Sequence, residues 1–157
     1  MRRAVITGAT GMLGLALTRL LVSEGIEVLA VARPGSGRIL NIPADERVRV
    51  VECGLENIEE LPGIIGVKCD MFFHFAWAGT FGDSRNDMEL QTCNIAYSVR
   101  AAEAAAKLGC GVFLGAGSQA EYGRKEHPAS PQDPAFPENG YGMAKLCAGQ
   151  MTREVCR

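Results

Sequence analysis

The sequence predicts an α/β fold in which helices cover both faces of a parallel sheet. Three observations lead there. Short apolar runs alternate with helical patterns along the 157 residues. Those runs are nearly continuous in hydrophobicity and bounded by charges or glycines, as strands buried on both faces are. A three-glycine turn joins the first run to the first helix, the junction that βαβ units use.

The elements follow in order. A first strand covers residues 2–6, and a helix runs from Met12 to Ser23 with Leu13, Leu17, Leu20 and Leu21 expected on one face. "EVLAVA" (27–32) and "RVRVV" (47–51) are the second and third strands, and a short helix lies near Asn57 to Gly63. "DMFFHFA" (70–76) is the fourth strand, followed by a long helix over about Asp87 to Lys107. Its "AAEAAAK" stretch (101–107) combines high helix propensity with little bulk, which allows close packing on the sheet. "GVFLGAG" (111–117) is the fifth strand, and a last helix begins at about Tyr141. Between them, residues 123–140 hold four of the seven prolines and form a long loop, a kind of segment that usually binds or covers something.

Composition excludes several classes of function. A hydrophobic content of 47% suits one globular domain, and a net charge of −2 without a basic run gives no footprint for nucleic acid or an anionic membrane. No apolar stretch approaches the ~18 residues that span a bilayer, and none near the start resembles a signal peptide, so a cytoplasmic location is expected. Six cysteines without a C-x-x-C pair read as reduced thiols.

Two motifs carry chemistry. In "TGATGMLG", Gly8 allows the tight turn out of the strand, Gly11 lets backbone approach a pyrophosphate, and Gly14 lets the helix pack closely. The helix N-terminus then offers free N–H groups and a positive dipole end to the phosphates. At the end of the second strand, where a carboxylate would read the ribose of NAD, stands Ala32, followed by Arg33 and Arg38. NADP is therefore expected in preference to NAD. The second motif is Tyr141-x-x-x-Lys145, a phenol and an ammonium one helical turn apart. A free tyrosine, with a pKa near ~10, is a poor base at neutral pH, and a neighbouring ammonium favours its ionised form.

With the turn, this pair and "GAGSQAEYG" (115–123) in one order, the chain resembles the extended short-chain dehydrogenase/reductase family, the NAD(P)-dependent epimerases and dehydratases of nucleotide sugars. The resemblance runs over essentially the whole chain and includes "HFA" (74–76), Asn94 and Ser118. It implies a Rossmann-type doubly wound sheet of about five strands in the order 3-2-1-4-5. It also implies that Tyr141 is the acid/base, that Ser118 orients the reacting oxygen, and that Lys145 bonds the nicotinamide ribose as well. Met12 and Leu13 would lie beside the pyrophosphate; Phe75, Ala76 and Trp77 would line the cofactor groove, and Asn94 would brace the loop that carries them. Thr10, Gly54, Leu55, Asn94, Ala116 and Tyr141 complete the candidate cofactor set, although Gly54 stands where relatives often place an adenine-binding aspartate. Residues 78–85 with Gln119 and Glu121 lie where relatives touch substrate, and His74 is structural.

Family members usually run to about twice this length, so residues 1–157 read as the cofactor domain, with later strands and the substrate domain missing. The fifth strand then becomes a sheet edge that recruits another chain, and a homo-oligomer is expected. Glu121 stands three residues after Ser118 rather than beside it, which favours a nucleotide-sugar epimerase or 4-reductase over a dehydratase. The alternatives are a reductase of a small non-sugar ketone and a non-catalytic module that senses NADP(H).

Overall fold

The computed structural model describes residues 2–157, and the chain divides into two compact units, Met1–Ala76 with Arg100–Gly115 and Trp77–Val99 with Ala116–Arg157. The first unit contains five parallel strands, β1 (Arg3–Thr7), β2 (Glu27–Ala32), β3 (Val48–Glu52), β4 (Met71–His74) and β5 (Val112–Gly115), in the order β3-β2-β1-β4-β5. This is the order expected from the sequence. Strand bounds shift by a residue or two from those expected: β1 and β3 each lie one residue later, and β4 and β5 are shorter.

Hydrophobicity on both faces of the central strands explains why they read as unbroken apolar runs. On one face Val5, Leu29, Val31, Val51 and Phe72 pack with Ile58, Leu61 and Ile65 and with Ala101, Ala105 and Leu108. On the other, Ala4, Ile6, Val28 and Ala30 pack with Leu21 and Ile42. The expectation that every strand is buried on both faces fails at the edges. In β3 Val50 is exposed, and in β5 Val112 and Leu114 are exposed by 52% and 45%. Each edge strand has one neighbour, so less of it is covered.

Helix α1 (Met12–Ser23) has the expected bounds, and half of the expected face: Leu21 is buried and Leu17 packs against the core. Leu13 and Leu20 are each 57% exposed, and the buried stripe is Gly14, Thr18 and Leu21. Small residues occupy this face because α1 lies against the preceding turn, and the Thr18 hydroxyl donates back to the Gly14 carbonyl at 2.8 Å. After β3 the single helix expected near residues 57–63 is a 3-10 turn, Leu55–Glu60, running into the short α2 (Leu61–Ile65). Helix α3 (Met88–Lys107) contributes residues to both units, and its Ala101, Ala102, Ala104 and Ala105 are buried, as the small-residue stretch predicts.

The second unit holds the start of α3, 3-10 turns at Gly82–Asn86 and Gln119–Glu121, and α4 (Gly140–Val155). Asn139 caps α4, its Oδ1 accepting from Gly142 N at 2.9 Å. Asn86 Oδ1 accepts the Gly140 N–H at 3.1 Å and so ties the first 3-10 turn to the helix start. The loop between Tyr122 and Asn139 carries no helix or strand. No helix among the described residues is long and apolar enough to cross a membrane.

Candidate active site

The glycine turn is built by β1, β4 and α1. Gly8 has φ +69°, and a Cβ there would lie 2.8 Å from Ala76 N, so only glycine fits both the conformation and the space. Gly14 meets the turn directly: an added Cβ would run into the Gly8 carbonyl oxygen and lie 2.6 Å from Ala9 Cα. Thr7 ties the ends of two strands together. Its Oγ1 accepts from Phe75 N at 3.2 Å and Ala76 N at 3.3 Å, and lies 2.9 Å from His74 Nδ1. With both acceptor positions taken, the Thr7 hydroxyl donates to His74 Nδ1, which fits a structural role for this histidine.

Helix α1 starts at Gly11, which supplies no side-chain cap, and no acid stands in its first turn. Its positive end is therefore open to an anion, with Met12 and Leu13 exposed beside it. These features fit a dinucleotide's pyrophosphate. Arg33 and Arg38 are exposed, and neither forms an ion pair with a described residue. Gly54 is buried and opens the turn containing Leu55. The acid closest in register to Ala32 is Glu52 of β3, whose Oε2 accepts from Gly35 N at 3.4 Å.

The second unit gathers Trp77, Asn94, Ala116, Ser118, Tyr141 and Lys145. Lys145 is buried and its Nζ donates to the Ala116 carbonyl at 2.8 Å. The same Nζ lies 3.9 Å from the Trp77 ring centroid and 6.0 Å from that of Tyr141. Tyr141 meets Trp77 edge-on at 6.0 Å, and the Arg85 guanidinium lies 4.3 Å from the Tyr141 ring centroid. Asn94 both donates to Ala78 O, at 2.9 Å, and accepts from Ala78 N, at 3.0 Å. Three residues earlier on α3, Gln91 accepts from Trp77 Nε1 and donates to Gly79 O and Ser84 O, each at 2.9 Å. Helix α3 thus holds the Trp77–Ser84 loop by two buried amides.

Ser118 starts the Gln119–Glu121 turn through a reciprocal cap. Its Oγ accepts from Ala120 N at 3.2 Å, and Glu121 accepts the Ser118 N–H at 2.6 Å. The Ser118 hydroxyl proton stays available for another acceptor. This turn packs on the first turn of α4, where a Cβ at Gly142 would run into the Ala120 carbonyl.

Burial pushes the Lys145 ammonium down to about 8, against the opposing attraction of Glu121. The folded value lies below the ordinary 10.5, so burying the charged form costs stability fully below pH 8, and the cost is relieved as pH rises to 10.5. Stability of the wild type relative to Lys145→Met should therefore rise with pH across that interval. Urea midpoints of both proteins measured against pH check this, and parallel curves would contradict it.

Thr7 and Gln91 were missed by sequence reasoning, and Arg85 was expected only as part of the substrate-touching loop 78–85, not against Tyr141. Gln91 had a detectable signal, a polar residue one turn before Asn94 on the same helix face. Thr7 and the Arg85 contact with Tyr141 had none, because the partners lie far along the chain.

Fold and turn together are those of a Rossmann-type α/β domain. The chain belongs to the NAD dependent epimerase/dehydratase family, whose model matches residues 4–157. A UDP-glucose 4-epimerase 4 from rice, Oryza sativa subsp. japonica, is 26% identical over 165 residues, covering 98% of this chain and 45% of the relative. The solved structure of a UDP-galactose 4-epimerase is similar with a TM-score of 0.82 at 26% identity, over 95% of this chain and 50% of the other. The Bordetella bronchiseptica enzyme WbmG, solved in complex with NAD, shares the fold with a TM-score of 0.83 at 24% identity, over 97% and 49%. The chain thus spans about half the length of these relatives.

Proposed function

We propose that residues 1–157 form the Rossmann-type cofactor domain of an NAD(P)-dependent nucleotide-sugar epimerase or 4-reductase that continues into a substrate domain. The observation that carries this reading is Lys145, buried one helical turn from Tyr141 with its Nζ on the Ala116 carbonyl. A buried ammonium without a carboxylate bonded to it is costly, and a role beside a reactive phenol accounts for it.

The cofactor, when bound, accepts and returns a hydride. Gly8, Thr10, Gly11, Met12, Leu13 and Gly14 would hold its pyrophosphate. Tyr141 takes the proton of the sugar hydroxyl on oxidation and gives it back on reduction. Ser118 donates its free hydroxyl proton to the same oxygen, and Lys145 supplies positive charge beside Tyr141. An epimerase or reductase is favoured over a dehydratase because Glu121, the acid nearest in sequence to Ser118, is committed to capping the Ser118 N–H. In this reading the protein works as a homo-oligomer in a reducing cytoplasm, with six free cysteines. The test is oxidation of a nucleotide hexose by the chain with oxidised cofactor, read as reduced-nicotinamide absorbance. A signal supports the proposal; saturable cofactor binding without a signal is expected if the substrate domain supplies the sugar's binding surface, and failure to bind either nicotinamide cofactor rejects it.

NADP is the preferred cofactor in this proposal, supported by Ala32 at the end of β2 and the two exposed arginines after it. Replacing Arg33 and Arg38 together with glutamine should weaken NADPH binding about tenfold or more and leave NADH binding unchanged, the effect of losing charge-assisted bonds to a phosphate. Fluorescence titration of both cofactors measures it. Equal changes for the two would assign the arginines to solvent.

A further inference from the structure

A dinucleotide that starts at the glycine turn must lay its remaining parts across the strands beside β1. Ligands of open α/β sheets lie outside the carboxyl ends of the strands. With the pyrophosphate at the start of α1 and the ribose at the end of β2, the base continues outward to the end of β3, the next strand in the sheet. The chain leaves β3 through Cys53 and Gly54, both buried, and enters the Leu55–Glu60 turn. Gly54 has no side chain to offer a base, yet the place of one is filled. A Cβ added at Gly54 would run into the Glu56 carboxyl carbon and Oε1 and would lie 2.6 Å from Oε2. Glu56 therefore folds back and holds its carboxylate in the space that a side chain at position 54 would take.

Among the described residues nothing uses that carboxylate. Glu56 has no ion-pair or hydrogen-bond partner there, whereas Glu52 accepts from Gly35 N and Glu59 pairs with Arg100. The turn beneath it is fixed, because the Cys53 thiol donates to the carbonyls of Gly54 and Asn57 at 3.4 and 3.3 Å. A carboxylate at this place offers acceptors only. Its complement is a base with an exposed amino group, which adenine has and a 6-oxopurine lacks.

We infer that Glu56 reads the base of the dinucleotide, its carboxylate accepting from the amino group of adenine. The inference rests on the cofactor reading proposed above and adds to it the residue that selects the base. The test is fluorescence titration of the chain with NADPH and with its hypoxanthine counterpart, in which a carbonyl replaces the amino group. The wild type should bind the adenine form about tenfold or more tightly, since the carbonyl would leave acceptor facing acceptor. Glu56→Gln should bring the two affinities within about threefold of each other, because an amide donates to the carbonyl as readily as it accepts from the amino group. Glu60→Gln removes the same charge from the same turn and should keep the wild-type preference. Both side chains are exposed, so neither change disturbs the fold. A wild type without preference, a preference that survives in Glu56→Gln, or an equal loss in Glu60→Gln would overturn the inference and leave the cofactor reading standing. Binding of neither form by the wild type would overturn both.

Discussion

Replacing Tyr141 with phenylalanine is expected to slow hydride exchange between a nucleotide hexose and the cofactor by ~10²- to 10⁴-fold, the range general acid–base groups contribute. Cofactor affinity should stay unchanged. The substitution removes one oxygen and keeps the ring that meets Trp77 edge-on at 6.0 Å and lies 4.3 Å from the Arg85 guanidinium carbon. Packing of the α4 start is therefore preserved, and Lys145 keeps its bond to Ala116. What disappears is the proton carrier. Single-turnover reduction of the oxidised cofactor measures the rate, with nucleotide sugar in large excess because remote binding surface contributes to the chemical step. A variant that retained the wild-type rate would show that another group moves the proton.

Gly14→Val should lower stability by ~3 kcal/mol, the upper end of overpacking effects, and abolish cofactor binding as well. The reason is the identity of the atoms in the way. A Cβ at Gly14 meets the Gly8 carbonyl oxygen and lies 2.6 Å from Ala9 Cα, and both belong to backbone that cannot rotate aside. The turn must open for the side chain to fit, and opening it displaces Gly8, held at φ +69° against Ala76. Gly149→Val is the control. It lies in α4 with open space around its Cβ position, so stability should change by less than ~1 kcal/mol, helix propensity slightly favouring valine over glycine. Denaturant unfolding of both variants separates the two cases, and equal costs would refute the packing argument.

What was legible in the sequence is what depends on near neighbours. The bounds of α1 are readable because a glycine turn starts it and Gly25 lies just past its end. The Tyr141/Lys145 pairing is legible because four residues make one helical turn. The buried face of α1 was legible only in part, through Leu17 and Leu21. Periodicity ranks leucines by hydrophobicity, whereas a helix seated on a backbone turn buries small residues, and Gly14 and Thr18 are these. The side-chain exposure of β5 was not legible, since its own residues read like those of β1; only its place as the last strand marked it as an edge. The contacts that shape the site are long-range: Thr7 to His74 spans 67 residues, and Lys145 to Ala116 spans 29. The spacing within one motif carries no information about the distant residue it meets. The Arg85 contact with Tyr141 is of this kind.

Titration of the purified chain with NADPH and NADH, followed by nicotinamide fluorescence, tests the central claim most directly. Saturable binding of one cofactor per chain, tighter for NADPH and lost in Gly14→Val, is the result expected of a folded cofactor domain with Arg33 and Arg38 reading a phosphate. Failure to bind either cofactor would contradict it, and the open end of α1 would then have no dinucleotide to receive.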